Sequence, residues 1–161
     1  MQAGETASLA SSMKSRLNSI VVTRLSADEI DEAFGLARLA FPGLTPGRWR
    51  ATARRWTAHP AGATGALVAR DGAGRLSGLA PFTVRNNLQA GRSLWVERVA
   101  SFSLLDGRPV VEGLADGLRD VARTLGCSGL TVQIETGDRA LISALGRKPG
   151  SAKSTLVSAT I

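Results

Sequence analysis

The chain has 161 residues, of which 43% are hydrophobic and 20% charged, and 20 Lys and Arg against 13 Asp and Glu give a formal net charge of +7. This length and composition favour one soluble globular domain and exclude a disordered chain. One Cys and one His exclude an internal disulfide and a Cys/His metal cluster, so we expect no metal and a cytoplasmic, reducing location. No apolar run reaches the roughly 18 residues of a membrane helix, so we expect no membrane partner.

The domain is expected to begin after a short leader. Residues 1–18 are rich in Ser and Ala and have no continuous apolar core, which is untypical of a secretory signal. We therefore predict a flexible N-terminal leader over 1–18 and a single domain over 19–161, with no internal linker.

The first part of the domain predicts one strand followed by two helices. A β-branched run at Ser19–Arg24 favours a strand, and the capping box Ser26-Ala27-Asp28-Glu29 predicts a helix that continues until Pro42-Gly43. Thr45-Pro46, a cap residue followed by proline at the first helical position, predicts a second helix that ends at His59.

Three antiparallel strands are predicted next, at Gly65–Arg70, Arg75–Arg85 and Ser93–Leu105. Pro81 lies inside the second of these strands and has no N–H to donate to a ladder. It therefore predicts a bulge or an unpaired edge position.

The stretch from Ser93 to Glu135 has the pattern of one βαβ unit, in which an amphipathic helix follows the long strand. Gly113 and Gly117 lie one turn apart in this helix, and a close approach of the helix to the sheet explains them. The face of the helix opposite its apolar stripe holds the charged residues Glu112, Asp116, Arg119, Asp120 and Arg123. The remaining predicted elements are the helix Val110–Leu125 with its cap Gly126, the strand Leu130–Glu135, the helix Asp138–Leu145 and the strand Ser154–Thr160.

The helix after Thr45 carries a concentrated positive face made by four arginines: Arg48, Arg50, Arg54 and Arg55. With no acidic residue between Thr45 and His59, this face favours an anionic small molecule or an acidic partner. The alternative is a surface helix that seats Trp49 and Trp56 in the core and solvates its arginines.

This order of elements resembles the GNAT acyl-CoA N-acyltransferase superfamily from about Ile20 to Ile161. The resemblance implies an α/β fold with a GNAT-like mixed, mostly antiparallel sheet flanked by helices on both faces. It also implies acetyl-CoA as the cofactor, whose pyrophosphate the family binds with the backbone of a Q/R-x-x-G-x-G/A loop. Here Asp106 stands at the basic or amide position, and Pro109 and Val111 stand at the two glycine positions.

The resemblance places the site on the long strand and on the corner that follows it. Glu97 would be the base that removes a proton from an amine, the alternative being an ion pair with Arg98 or another arginine. The residues implied for cofactor binding are Val99, Ser101, Gly107, Arg108, Pro109, Val110 and Val111. Because Pro109 removes a donor and Val111 adds bulk, we expect acetyl-CoA to bind weakly, and glycine at both positions to tighten it.

Two further positions bear on the chemistry. Members of the family often use a tyrosine in the last helix to protonate the departing thiolate, but this chain has no tyrosine. Ala144 falls near that place, and Ser143 or water is left for the role. Cys127 has no His nearby in sequence and favours a core position over a nucleophile.

Three functions remain open from the sequence. The first is an acetyl-CoA-dependent N-acyltransferase with an atypical cofactor loop. The second is a catalytically degenerate GNAT-fold protein that binds or regulates a partner. The third, a nucleic-acid-binding module that uses the basic helix, is disfavoured because no aromatic residue stands in a stacking pattern. The sequence does not determine the oligomeric state, and a homodimer is one possibility.

Overall fold

The structure, a computed structural model, describes residues 19–88, 91–103, 106–133, 139–146 and 153–157. The predicted leader over 1–18 lies outside the described residues. The strands are β1 (Val21–Arg24), β2 (Thr64–Arg70), β3 (Leu76–Asn87), β4 (Gly91–Val96), β5 (Ala100–Ser101), β6 (Gly129–Gln133) and β7 (Lys153–Val157). The helices are α1 (Phe34–Ala40), α2 (Pro46–Thr57), α3 (Arg108–Thr124) and α4 (Arg139–Gly146), with a short 3-10 turn at Ala27–Glu29.

The strands form one mixed sheet in the order β1-β2-β3-β4-β6-β7, with β5 paired to β3. Neighbouring strands from β1 to β4 are antiparallel. β4 pairs with β6 in parallel from Ser93↔Gly129 to Val96↔Val132, and α3 connects the two strands. The predicted βαβ unit and the mostly antiparallel α/β fold are confirmed.

The helices cover the two faces of the sheet with separate cores. On one face, called the α3 face, α3 and α4 pack against buried side chains that include Leu67, Leu94 and Val132. On the other, called the α1 face, α1 and α2 pack against Val68 and Leu79, among others. The alternation of side chains along each strand assigns neighbouring residues to opposite cores.

The two glycines inside α3 mark the place where the helix lies against β1 and β2. A Cβ built on Gly117 would lie 2.8 Å from Val22 Cγ1, and one on Gly113 would lie 3.1 Å from Ile20 Cγ2. Any larger side chain would push the helix away from the sheet. The close approach predicted from these glycines is confirmed.

The first predicted helix begins later than expected. Ser26 N–H donates to Glu29 Oε2 at 2.9 Å, so the predicted capping box is present, but it closes only a 3-10 turn, and α1 starts at Phe34. Glu29 also accepts from Arg70 Nη2 at 2.8 Å. Burial by itself would raise the pKa of Glu29, but the bonds from Ser26 and Arg70 outweigh it and hold the pKa below its ordinary value.

The second helix is confirmed, although it ends at Thr57 and not at His59. The Thr45 hydroxyl accepts from Arg48 N–H, as the predicted cap requires. Trp49 is buried and its Nε1 donates to the carbonyl of Ile30 at 2.6 Å, which fixes α2 against the turn before α1.

Arg119 is buried, although it belongs by sequence to the charged face of the helix. It is 6% exposed, and its Nη2 donates to the carbonyls of Ala144 at 2.8 Å and Leu145 at 2.6 Å. These carbonyls lie in the last turn of α4, where no helix amide is available to them. Arg119 therefore caps α4 and holds it against α3. The hydropathy of an arginine alone does not indicate this role.

Candidate functional site

The long strand predicted over Ser93–Leu105 is interrupted in the structure. β4 ends at Val96, opposite Phe82, and β5 resumes at Ala100, opposite Leu79. The three residue steps from Phe82 to Leu79 along β3 thus lie opposite four residue steps from Val96 to Ala100. One extra residue between β4 and β5 is the definition of a β-bulge, so the prediction of one continuous strand is wrong.

Pro81 lies opposite this bulge. Val84 N–H donates to the carbonyl of Ala63 on the β2 side, and because backbone groups alternate along a strand, those of Pro81 face β4 and β5. Pro81 has no N–H to offer a ladder there. The bulge predicted from this proline is confirmed, and its physical cause is the missing donor.

Glu97 and Arg98 form the bulge. Val96 and Val99 both pack against the core of the α3 face, and Glu97, the residue after Val96, lies by alternation on the opposite, α1 face. Glu97 is exposed there, and none of the described residues forms an ion pair with it. The alternative in which an arginine neutralises Glu97 is thus not seen in the described part of the chain.

The bulge lies where the sheet opens. The ladder between β4 and β6 ends at Val96↔Val132, while β5 pairs with β3. Phe102 N–H donates to the carbonyl of Ser77 on β3, so by alternation the backbone groups of Val99 and Ser101 face the other way. Within the described residues no strand lies on that side, and these groups line an open edge.

The start of α3 lies next to this edge. A Cβ built on Gly107 would lie 3.8 Å from Ser101 Oγ and 4.0 Å from Ser103 Cβ. The fold therefore brings together the two parts of the site that the sequence resemblance implied, the strand edge at Ser101 and the corner at Gly107.

The first turn of α3 offers few free amides. Asp106 Oδ1 accepts from Arg108 N–H at 2.9 Å, Pro109 has no N–H, and Val111 N–H donates to the carbonyl of Gly107 at 3.1 Å. Val110 is the residue of this turn whose N–H has no acceptor among the described residues. Of the amides that a helix start normally offers to an anion, most are thus absent or in use.

The side chains of Val110 and Val111 do not line the site. They are 3% and 4% exposed and belong to the core between α3 and the sheet. Val110 lies so close to Gly78 that a Cβ there would approach it to 2.6 Å. The bulk of Val111, which was expected to crowd a phosphate, lies beneath the helix and not in front of it.

The helix expected to carry the acid supplies one exposed hydroxyl. Ala144, near the position of the family's tyrosine, is buried, whereas Ser143 on the same helix is exposed. Cys127 is half-buried and packs against the α3-face core after the Gly126 cap, whose φ is 66°. The core position favoured for Cys127 is therefore what the structure shows.

The four arginines of α2 are all exposed on the α1 side of the sheet. Arg50 Nε donates to Asp31 Oδ1 at 2.7 Å, an ion pair in which both partners are solvated. None of the described carboxylates pairs with Arg48, Arg54 or Arg55.

Sequence reasoning did not single out one pair of residues near the bulge. The guanidinium of Arg85 lies 4.3 Å from the centre of the Trp95 ring, two residues before Glu97. The antiparallel register, with Thr83 opposite Trp95 and Arg85 opposite Ser93, makes Arg85 and Trp95 diagonal neighbours. The sequence alone does not fix this register.

The folded chain has the GNAT acetyltransferase fold. An aminoglycoside N-acetyltransferase, AAC(6')-Iy, solved in complex with CoA, superposes with a TM-score of 0.65 and 15% identity over 88% of this chain and 95% of that one. Glucosamine-6-phosphate N-acetyltransferase from Arabidopsis thaliana gives 0.64 and 13% over 85% and 97%. A ribosomal-protein-alanine N-acetyltransferase from Brucella melitensis biovar Abortus 2308 gives 0.57 and 20% over 71% and 79%. No family model and no curated protein matches the sequence.

Proposed function

We propose that this protein is an N-acyltransferase of the GNAT type that uses acetyl-CoA as its acyl donor. The observation that carries the proposal is the carboxylate of Glu97 at the bulge, which pairs with none of the described residues and lies beside an open strand edge. The start of α3 lies next to the same edge. The GNAT fold supports the proposal, since the structures similar to this one are acetyltransferases.

The residues present fit acetyl-CoA in part. The backbone groups of Val99 and Ser101 face no strand among the described residues, so they suit pairing with the amides of a pantetheine arm, as an added strand would pair. At the corner, Gly107 leaves room beside Ser101, and the Val110 N–H and the Arg108 guanidinium are available to the pyrophosphate. The misfit is at Asp106 and Pro109, which remove two amides and add a negative charge.

In this proposal Glu97 acts as the base. Acetyl-CoA, when bound, supplies a thioester carbon to which an amine nitrogen adds, so that a C–N bond forms and the C–S bond breaks. Glu97 takes the proton that the amine loses, directly or through one water. The proton for the departing sulfur comes from water or from Ser143, because the chain has no tyrosine.

A second function is favoured by one specific observation. The Asp106 carboxylate occupies the Arg108 N–H, and an anion that approaches this amide meets a like charge. A protein that had lost cofactor binding and kept its fold for a partner would show this feature. The second candidate is therefore a catalytically degenerate GNAT-fold binding or regulatory protein, which the basic face of α2 suits.

Titration calorimetry with acetyl-CoA and with CoA, followed by an assay of amine-dependent thiol release, separates the two functions. We expect binding, thiol release, and a loss of about 10²- to 10⁴-fold in kcat for Glu97→Gln with unchanged acetyl-CoA affinity. Glu32→Gln, the same chemical change on an exposed glutamate that pairs with Arg70, is the matched control. Binding without thiol release for any class of amine favours the binding protein, and no binding at all ends the enzyme proposal.

A further inference from the structure

Part of the α1 face of the sheet lies beyond the described helices of that face. α1 and α2 pack over Ala66, Val68, Leu79 and Ala100, which belong to β2, β3 and β5. Farther along the sheet, towards β4 and β6, alternation puts polar and aromatic side chains on the same face. These exposed or half-buried side chains are Thr64, Thr83, Arg85, Trp95, Thr131 and Gln133.

Arg85 and Trp95 form the centre of this surface. The Arg85 Cζ lies over the Trp95 ring, 4.3 Å from its centre, which is a cation–π contact. Arg85 is exposed, and none of the described carboxylates pairs with it. A guanidinium held over an aromatic ring without a carboxylate partner is suited to bind a carboxylate or a phosphate.

The pair stands at a defined distance from Glu97. Trp95 precedes Glu97 by two residues, or about 7 Å along an extended strand, and Ser93, the partner of Arg85, precedes it by four, or about 13 Å. Leu94 and Val96 belong to the α3-face core, so alternation along β4 puts Trp95 and Glu97 together on the α1 face. The carboxylate and the guanidinium therefore lie on the same side of the sheet.

We propose that the amine acceptor carries an anionic group, a carboxylate or a phosphate, about 7 to 13 Å from its amine nitrogen. Arg85 binds the anion, Trp95 forms the apolar floor between the two groups, and Glu97 meets the amine. This inference rests on the role proposed for Glu97 and adds the substrate class. A free α-amino acid, whose amine and carboxylate are adjacent, is too short to reach both Glu97 and Arg85.

Tripeptide amides with a free N-terminal amine provide matched probes of this length. Ala-Ala-Glu amide and Ala-Ala-Gln amide differ in one charge at the third residue, and Ala-Ala-phosphoserine amide tests phosphate in place of carboxylate. The binding of each probe to the full chain is measured by calorimetry, and its acetylation by thiol release. We expect the anionic probes to bind and react about five-fold better than the Gln probe, the upper end of what an exposed ion pair gives. The anionic probe with the larger gain identifies the natural group.

A charge swap distinguishes recognition from a structural role of the arginine. Arg85→Glu should abolish the preference for the anionic probes and favour Ala-Ala-Lys amide over Ala-Ala-Gln amide. Arg123→Glu, the same change on an exposed residue at the far end of α3, should leave the wild-type preference intact. A structural role of Arg85 would weaken all probes together and would not reverse their order.

The results also separate this inference from the proposed function. If acetyl-CoA binds and the Gln probe reacts as well as the anionic probes, the acceptor inference fails and the N-acyltransferase stands. If no probe reacts but the anionic probes bind preferentially through Arg85, the anion site stands and the catalytic proposal fails. If no probe shows a preference in binding or in reaction, the inference is overturned.

Discussion

Replacing Asp106 and Pro109 together by Ala should tighten acetyl-CoA binding. In the wild type, the Val110 N–H is the amide of the first turn that remains for a phosphate, because Asp106 accepts the Arg108 N–H at 2.9 Å and Pro109 has none. The double variant restores two donors. A hydrogen bond to a charged group contributes roughly 1.5 kcal/mol at the low end of its range, suited to this exposed corner, so two of them correspond to about 100-fold in Kd.

The measurement is calorimetric titration with acetyl-CoA, with thermal melts to follow the fold. Loss of the cap should lower the stability of α3 by about 1 kcal/mol, which leaves the protein folded. Asp120→Ala changes the net charge equally at the other end of the same helix and is the matched control. Asp106→Asn keeps a side chain that can cap Arg108 and removes its charge, so it separates occupation of the amide from repulsion.

If the double variant binds acetyl-CoA no better than Asp120→Ala does, the first turn of α3 does not hold the pyrophosphate. The cofactor proposal would then have to depend on other residues. Glycine at Val111, which the sequence motif suggested, should not help: the side chain is 4% exposed in the core, and its removal should lower stability by about 2 kcal/mol or more.

Three other changes test the fold and its charged surfaces. Glu29→Gln should lower the free energy of unfolding at pH 7 by about 1 to 3 kcal/mol. Because the folded pKa of Glu29 is depressed, its stabilisation is present above the unfolded pKa of about 4.3 and is lost as pH falls through the folded pKa. Thermal melts from pH 7 to pH 3 should therefore show a smaller loss of stability on acidification in the variant than in the wild type. Arg119→Met should lower stability by about 2 to 4 kcal/mol, since it leaves two carbonyls of α4 without donors, and an unchanged denaturation midpoint would contradict this role. Charge reversal at Arg50 and Arg54 should change stability by no more than about 1 kcal/mol while it weakens any anionic partner, and a large fall in melting temperature would show that these arginines are structural.

The order of elements was predictable because it depends on local signals. Thr45-Pro46 predicted the start of α2, Gly113 and Gly117 predicted the contact of α3 with the sheet, and Pro81 predicted the bulge. Each of these residues restricts the backbone or its packing by itself, so its effect does not require knowledge of its neighbours in space.

What the sequence could not predict depends on interactions between distant segments. Arg119 looks like a surface residue by its periodicity and is buried because α4 presents carbonyls to it. The capping box at Ser26 is present, but Arg70, from β2, binds its Glu29 and holds a short turn where a helix was expected. The stacking of Arg85 on Trp95 likewise follows from strand register.

In the proposed enzyme the bulge and the corner would act on different parts of acetyl-CoA, so a defect at each would change the kinetics differently. The bulge depends on Pro81 in β3, whereas the shortage of free amides depends on Asp106 and Pro109 at the start of α3. The pyrophosphate is remote from the reacting carbon, so a hydrogen bond missing there weakens the binding of ground state and transition state alike. Such a deficit raises KM for acetyl-CoA and leaves kcat unchanged. A high KM for acetyl-CoA, together with a kcat that falls in Glu97→Gln, would therefore identify an enzyme that binds its cofactor weakly. Absent turnover at saturating acetyl-CoA would instead locate the defect at the bulge and identify the binding protein.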